Sequence, residues 1–171
     1  MPTQQSIGLA TNHLDIEAWQ FSGVSNNGGL YLTDASDLRV GTVDDIEVTR
    51  VAADLQSGTV GHTPQSNLVS GGVLLLEANG TLETLATGGS VTAAGNLRLA
   101  ANLGNLNLGA AVINTNGPSA LFASGAVLQN ADISATGGNA TVDVFAEAGA
   151  ITMAPGVTSS SFNGDIRYQA N

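Results

Sequence analysis

The sequence predicts an all-β chain wound as a single right-handed parallel β-helix, with three strands per coil and about seven coils of roughly 21–24 residues each. Three observations predict it. First, one short phrase occurs twice in quick succession, as Gly95-Asn96-Leu97-Arg98-Leu99 and Gly104-Asn105-Leu106-Asn107-Leu108. Each is a glycine-polar turn followed by alternation, which places Leu97 and Leu99 on one face and Arg98 on the other, as in a half-buried strand. Strands this short cannot fold alone and must stack on others like them. Second, such phrases recur on three ladders: Val73, Leu97, Leu121, Val142, Ile166; Leu82, Leu106, Val127, Ile151; and Val91, Val112, Ile133, Val157. The near-constant step along each ladder is the signature of a stacked repeat. Third, the composition is 11% charged and 4% aromatic with 22 glycines in 171 residues, which suits a thin solenoid with tight corners better than a globular enzyme.

Taken in order, residues 1–20 are the least regular. Leu14-Asp15-Ile16-Glu17-Ala18 alternates as a strand. Trp19 and Phe21 follow, either packed over the first coil or forming an aromatic platform for sugar or protein. Gly28-Gly29-Leu30-Tyr31-Leu32 opens a coil, Leu38-Arg39-Val40 supplies its second strand, and Ile46-Glu47-Val48 is read as its third. The stretch from Leu30 to Val73 reads as nearly two coils. Residues 49–67 break the alternation and are read as a strand-loop-strand excursion, the kind of place where solenoids carry binding function. From Leu68 onward glycines punctuate a steady pattern, with Val142, Val144 and Ala146 inward and Asp143 and Phe145 outward or into a corner. Leu82-Glu83-Thr84-Leu85-Ala86 tolerates a helix locally, but its place in the second ladder favours a strand. Asn96, Asn105, Asn107, Asn114 and Asn116 are expected to stack as amide ladders along the corners. The body, one domain over residues 1–171, would be roughly 35 Å long at about 4.8 Å per strand. Ile166-Arg167-Tyr168-Gln169-Ala170 is a strand with no polar cap after it. The chain therefore reads as a section of a longer protein, open to end-to-end stacking with further coils.

Net charge is −10, with four arginines and no lysine. No basic stripe is available for nucleic acid, nor for an anionic membrane surface. The absence of cysteine removes disulfides, thiolate metal sites and a cysteine nucleophile. Met1-Pro2-Thr3-Gln4-Gln5-Ser6 lacks the basic start and apolar run of a signal peptide, and no stretch approaches the roughly 20 apolar residues of a spanning helix.

Phrases such as GGLYLTDASDLRVGTVDDIEVTRV, QNADISATGGNATVDVFAEAGAITMA and NGDIRYQA resemble the repeat region of large bacterial surface exoproteins, the filamentous-haemagglutinin-like and large repetitive adhesin families. The motif is a repeat grammar rather than a catalytic signature. The resemblance implies an exported β-helix stalk displayed at the cell surface or secreted, acting as spacer and adhesive surface without enzymatic chemistry. Its partner would be a protein or glycan on a host or neighbouring cell. The family's N-terminal secretion domain, with its Asn-Pro-Asn type motifs, is not in these residues, so they assign no export route.

Parallel β-helices also include polysaccharide lyases and hydrolases, which work through carboxylates held on one wall. Asp34, Asp37, Asp44, Asp45, Glu47 and Asp54 are the richest acidic stretch, with Arg50 and His62 near in sequence. Acid and base roles need two carboxyls held about 5–9.5 Å apart, and an Arg-x-Lys pair is excluded without lysine. No catalytic residue and no cofactor is assigned; the alternative functions are carbohydrate binding or cleavage, or a self-assembling solenoid unit whose open ends stack. Asp34, Asp37, Asp44, Asp45 and Glu47 form a candidate calcium edge, calcium being a hard cation that takes six to eight oxygens, although no EF-hand or Gly-Gly-x-Gly-x-Asp repeat is present. His13 and His62 are isolated, and Ser159-Ser160-Ser161 reads as a polar turn.

Overall fold

Strands of two to six residues can satisfy their main-chain groups only by pairing with neighbours, and here nearly all of them pair in parallel, one coil with the next. A computed structural model describes residues 5–138 and 140–171. The first coil holds β1 (Leu14–Ile16), β2 (Gln20–Phe21) and β3 (Gly23–Ser25). The second holds β4 (Leu30–Asp34) and β5 (Leu38–Val40), then β6 (Ile46–Val51) and β7 (Ser57–His62), then β8 (Leu68–Ser70). The third holds β9 (Leu74–Ala78), β10 (Leu82–Thr84) and β11 (Val91–Ala93). The fourth holds β12 (Leu97–Ala101), β13 (Leu106–Leu108) and β14 (Val112–Asn114). The fifth holds β15 (Ser119–Ala123), β16 (Val127–Gln129) and β17 (Ile133–Ala135). The sixth holds β18 (Val142–Ala146), β19 (Ile151–Met153) and β20 (Ser159–Ser161), and β21 (Ile166–Ala170) begins a seventh. The first wall runs β1-β4-β9-β12-β15-β18-β21, the second β2-β5-β10-β13-β16-β19 and the third β3-β8-β11-β14-β17-β20. No helix occurs among the described residues. This is the all-β parallel solenoid of about seven turns that the repeat predicts.

Register corrects the ladders in detail. The second ladder, Leu82, Leu106, Val127 and Ile151, pairs residue for residue as expected. In the first wall Leu97 stacks on Leu74 rather than Val73, and on Ser119 rather than Leu121. Leu121 does point inward, but one pleat further along, beside Leu99 and Val144. In the third wall Ile133 pairs with Ser159, not Val157. Ser119 and Ser159 share a cause. Each occupies an inward position, and a polar residue at a rung hides it from an apolar pattern. Ser159–Ser161 is thus a wall strand and not a turn.

The second coil is also rearranged. Ile46-Glu47-Val48 leaves the solenoid as one arm of an antiparallel hairpin with β7, and the third strand of that coil is Leu68–Ser70. The excursion accordingly runs from the Val43–Gln65 bridge inward, starting earlier than residue 49. Leu30 pairs directly with Leu74, so the stretch between them is one coil carrying an insertion rather than two coils.

The core is a column of leucines with smaller partners: Leu30, Leu74, Leu97 and Leu99 from the first wall, Leu38, Leu82 and Leu106 from the second, Leu68, Val91, Val112 and Ile133 from the third, all essentially inaccessible. Each covers the apolar strip of the next, so cohesion is nearest-neighbour along the axis. Glycine is required where corners approach each other. A Cβ on Gly95 would lie 2.9 Å from the Gly72 carbonyl carbon, and one on Gly117, whose φ is +147°, 2.9 Å from that of Gly95. The expected asparagine ladders do not form. Asn114 turns inward and donates to the Gly117 and Pro118 carbonyls. Single axial brackets occur instead, each from the residue just before a wall strand to the main-chain N–H of its counterpart one coil on. The N–H groups of Thr81, Ser90, Ala126 and Thr158 donate to Asp37, Asn67, Asn105 and Asp132 at 2.7, 3.2, 2.8 and 2.7 Å. Only Asn105 of the five asparagines takes part in this way. A short acceptor at each of these sites satisfies an N–H that would otherwise face solvent at the corner.

Leu106→Asp places an unpaired carboxylate in the column and is expected to cost about 3–5 kcal/mol, read as a large fall in the circular-dichroism Tm. Thr152→Asp on an outward position of the same wall should change stability by less than about 0.5 kcal/mol. Equal Tm values for the two variants would show the inward register to be wrong.

Candidate functional site

Two features rise above the regular surface, and both lie near the first two coils. The first is the hairpin. Ile46, Val48, Thr49 and Val51 are β-branched, which suits strand backbone. The Ala52–Gln56 turn closes it, with Leu55 at φ +65° and the Gln56 N–H donating to Asp54 Oδ1 at 3.1 Å. At its base the Val43 and Gln65 main chains exchange hydrogen bonds of 2.8 and 2.9 Å. Register puts Ile46 opposite His62 and Val48 opposite Val60, so these four share one face, while Glu47, Thr49 and Val51 share the other. The Ile46 face overlooks a groove of about 700 Å³ whose floor is Gln20, Phe21 and Ser22 of the first coil, with Asp44 and Pro64 at its side. All twelve strand residues of the hairpin are exposed. A two-stranded hairpin is marginal by itself, so this one owes its order to the clamp at its base.

The second feature is a shelf around Trp19, which is 66% exposed at the bend between β1 and β2. The Arg39 N–H donates to the Trp19 carbonyl at 3.2 Å, and the Arg39 guanidinium lies 4.2 Å from the indole centroid. Glu83 holds that guanidinium from the other side, Arg39 Nε to Glu83 Oε2 being 2.8 Å. Arg39, Glu83 and Asn107 are register partners on the outer face of the second wall. A row of three polar side chains therefore runs along the axis at about 4.8 Å per step, beginning beside the tryptophan. Asn107 Oδ1 is buried there with no hydrogen-bond donor among the described residues. Trp19 divides two grooves. One, of about 250 Å³, follows the polar row, and the other, of about 540 Å³, is bordered by Glu17, Asn79 and Leu103. Asp37 borders both. Of this aromatic pair, Phe21 packs against the core, whereas Trp19 is exposed rather than packed over the first coil.

The acidic residues singled out from sequence are dispersed by the fold. Asp34 is fully buried and works as a corner brace: its carboxylate accepts the Ala18 N–H at 2.9 Å, the Ser36 N–H at 2.8 Å and the Ser36 hydroxyl at 3.1 Å. Asp37 makes the axial bracket to Thr81. Asp44 and Asp45 sit at the foot of the hairpin, and Glu47 is on the face turned from the groove. Among the described residues no three carboxylates or histidines converge as a metal would need. His13 stacks on Tyr31 at 6.4 Å, with Nδ1 2.9 Å from Thr33 Oγ1, far in the fold from His62 on the hairpin. Arg50 and Asp54 belong to the hairpin and its turn.

The remaining ion pairs among the described residues also run across coils. Arg98 meets Glu77 at 3.0 Å and lies 5.8 Å from the Phe122 ring, which in turn packs on Phe145 at 5.9 Å. Arg167 grips Asp143 with two hydrogen bonds of 2.8 and 2.6 Å, and these bonds, with the carboxylate's charge, raise the Arg167 guanidinium above its ordinary value. What sequence reasoning missed is the Arg39–Glu83–Asn107 row. Its members are a whole coil apart in sequence, and the hairpin separates the first two further. Aligning the second-ladder strands with Leu38 as their first rung is the signal that finds it. No protein-family model, curated protein or solved structure matches the chain.

Asp34→Ala removes the acceptor of the Ala18 and Ser36 N–H groups at a half-buried corner and should cost about 1–2 kcal/mol in urea unfolding, equally with calcium and with chelator. A parent Tm that rises with added calcium would support the cation edge.

Proposed function

We propose that this chain is a non-enzymatic structural and adhesive module of a bacterial cell-surface or secreted adhesin. The solenoid is a stiff spacer, and the β6–β7 hairpin is its contact element for a protein or glycan on another cell. The observation that carries this reading is the way the hairpin is inserted. The wall strands on either side of it pair as though it were absent, Leu30 with Leu74 and Leu38 with Leu82. The rod thus continues uninterrupted beneath a segment that adds nothing to its core and exposes both faces. A surface segment without a packing role is a candidate for recognition. The outer charges support the spacer role, since the ion pairs of Arg39, Arg98 and Arg167 each tie one coil to its neighbour.

The test follows from the base of the hairpin. Replacing residues 44–64 with Asn-Gly joins Val43 to Gln65 through a favoured two-residue turn. The shortened protein should keep the parent Tm to within a few degrees, and its retention on epithelial and bacterial cell layers should fall at least about fivefold, near 1 kcal/mol of binding. Undiminished retention by the deletion variant, or no retention by the parent, counts against the adhesive reading.

A further inference from the structure

We propose that the Trp19 shelf is a binding site for a neutral saccharide chain lying along the solenoid axis. This goes beyond the adhesive reading and stands on different residues, since no part of the hairpin lines the shelf. Three observations converge on hydroxyl-rich chemistry. Trp19 presents a large exposed ring on the surface, and one side of it is already covered by Arg39. Its open side offers an apolar, weakly negative face to the C–H groups of a sugar ring. Arg39 is pinned by Glu83, so the guanidinium donors not engaged by that carboxylate are held in a fixed direction. Asn107 borders the same groove, next in the row after Glu83, and its amide carries groups that pair with hydroxyls.

The row therefore runs cationic donor, carboxylate acceptor and amide beside an aromatic face. A chain of hydroxyls, each both donor and acceptor, can match every position. Charge narrows the class further. Glu17, Asp37 and Glu83 border the two grooves on a chain of net charge −10, so uronic or sulfated sugars are repelled while a neutral one is not. The stacking of Arg39, Glu83 and Asn107 on consecutive coils, about 4.8 Å apart, asks for a ligand that is extended and repetitive.

Trp19 is the sole tryptophan, so the site reports on itself. The intact protein is titrated with cellohexaose, laminarihexaose, chitohexaose and a heparin-derived hexasaccharide while indole emission is followed. At least one neutral hexasaccharide should give a saturable change in emission, and the heparin fragment none. Asn107→Leu should weaken that binding about tenfold, or about 1.4 kcal/mol, with the Tm unchanged or higher. Trp19→Ala should abolish the heat of binding in calorimetry. The hairpin-deleted protein should bind as the parent does, which separates this site from the adhesive reading. The proposal is overturned by emission indifferent to all three neutral sugars, by response to the heparin fragment alone, or by parent-like affinity in Asn107→Leu.

Discussion

Parallel pairing of each short strand with its counterpart one coil away is the constraint on which everything else here depends. A three-residue strand such as Leu106–Leu108 has no stability of its own, and neither does a coil. Main-chain groups and inward leucines are satisfied together only when Leu82, Leu106 and Val127 lie on successive rungs. That requirement forces adjacent corners close enough to demand glycine at Gly95 and Gly117. It also turns each corner into a place where a polar side chain finds a main-chain partner, as the four axial brackets do.

The same constraint shapes the outer surface. Outward residues on consecutive coils become neighbours at the strand spacing, so side chains distant in sequence are brought into rows. Arg39 with Glu83, and Arg167 with Asp143, are direct register partners, and Arg98 reaches Glu77 on the diagonal. Exposed pairs of this kind add little stability singly. Their effect is to hold long side chains in place, and at Arg39 that produces an ordered platform beside Trp19. The hairpin represents the opposite solution. Its strands pair with each other, so it can be carried by the rod without disturbing it.

Much of this was legible in the residues and some was not, for identifiable reasons. The β-helix, its three walls and the inward face of nearly every strand follow from alternation, because a period of two leaves only one face to bury. The rungs at Ser119 and Ser159 escape the apolar pattern because their inward residues are polar: the Ser119 hydroxyl is bonded by Asn114 and the Ser159 hydroxyl by Gln129. Ile46-Glu47-Val48 alternates as well as any wall strand does. Pattern alone could not distinguish a partner one coil away from a partner across a turn. The acidic stretch looked like one edge because its members are near in sequence, whereas the fold puts Asp34 and Asp37 at the corner between β4 and β5, each bonded to main chain, and Asp44, Asp45 and Glu47 at the hairpin.

By itself, then, the amino-acid sequence determined the architecture: short alternating strands, glycine at the corners, a near-constant repeat and no charge on the inward face of most rungs leave stacking as the way to bury the leucines. Tertiary structure alone decided which surface residues meet. Parallel stacking joins residues a whole coil apart, and the coil length drifts by a residue or so from rung to rung between Leu74, Leu97, Ser119, Val142 and Ile166. It nearly doubles between Leu30 and Leu74, where the hairpin is inserted. The corners absorb these changes and keep the same face inward, so the meeting of Trp19, Arg39, Glu83 and Asn107 is set by strand register, which the local pattern does not contain.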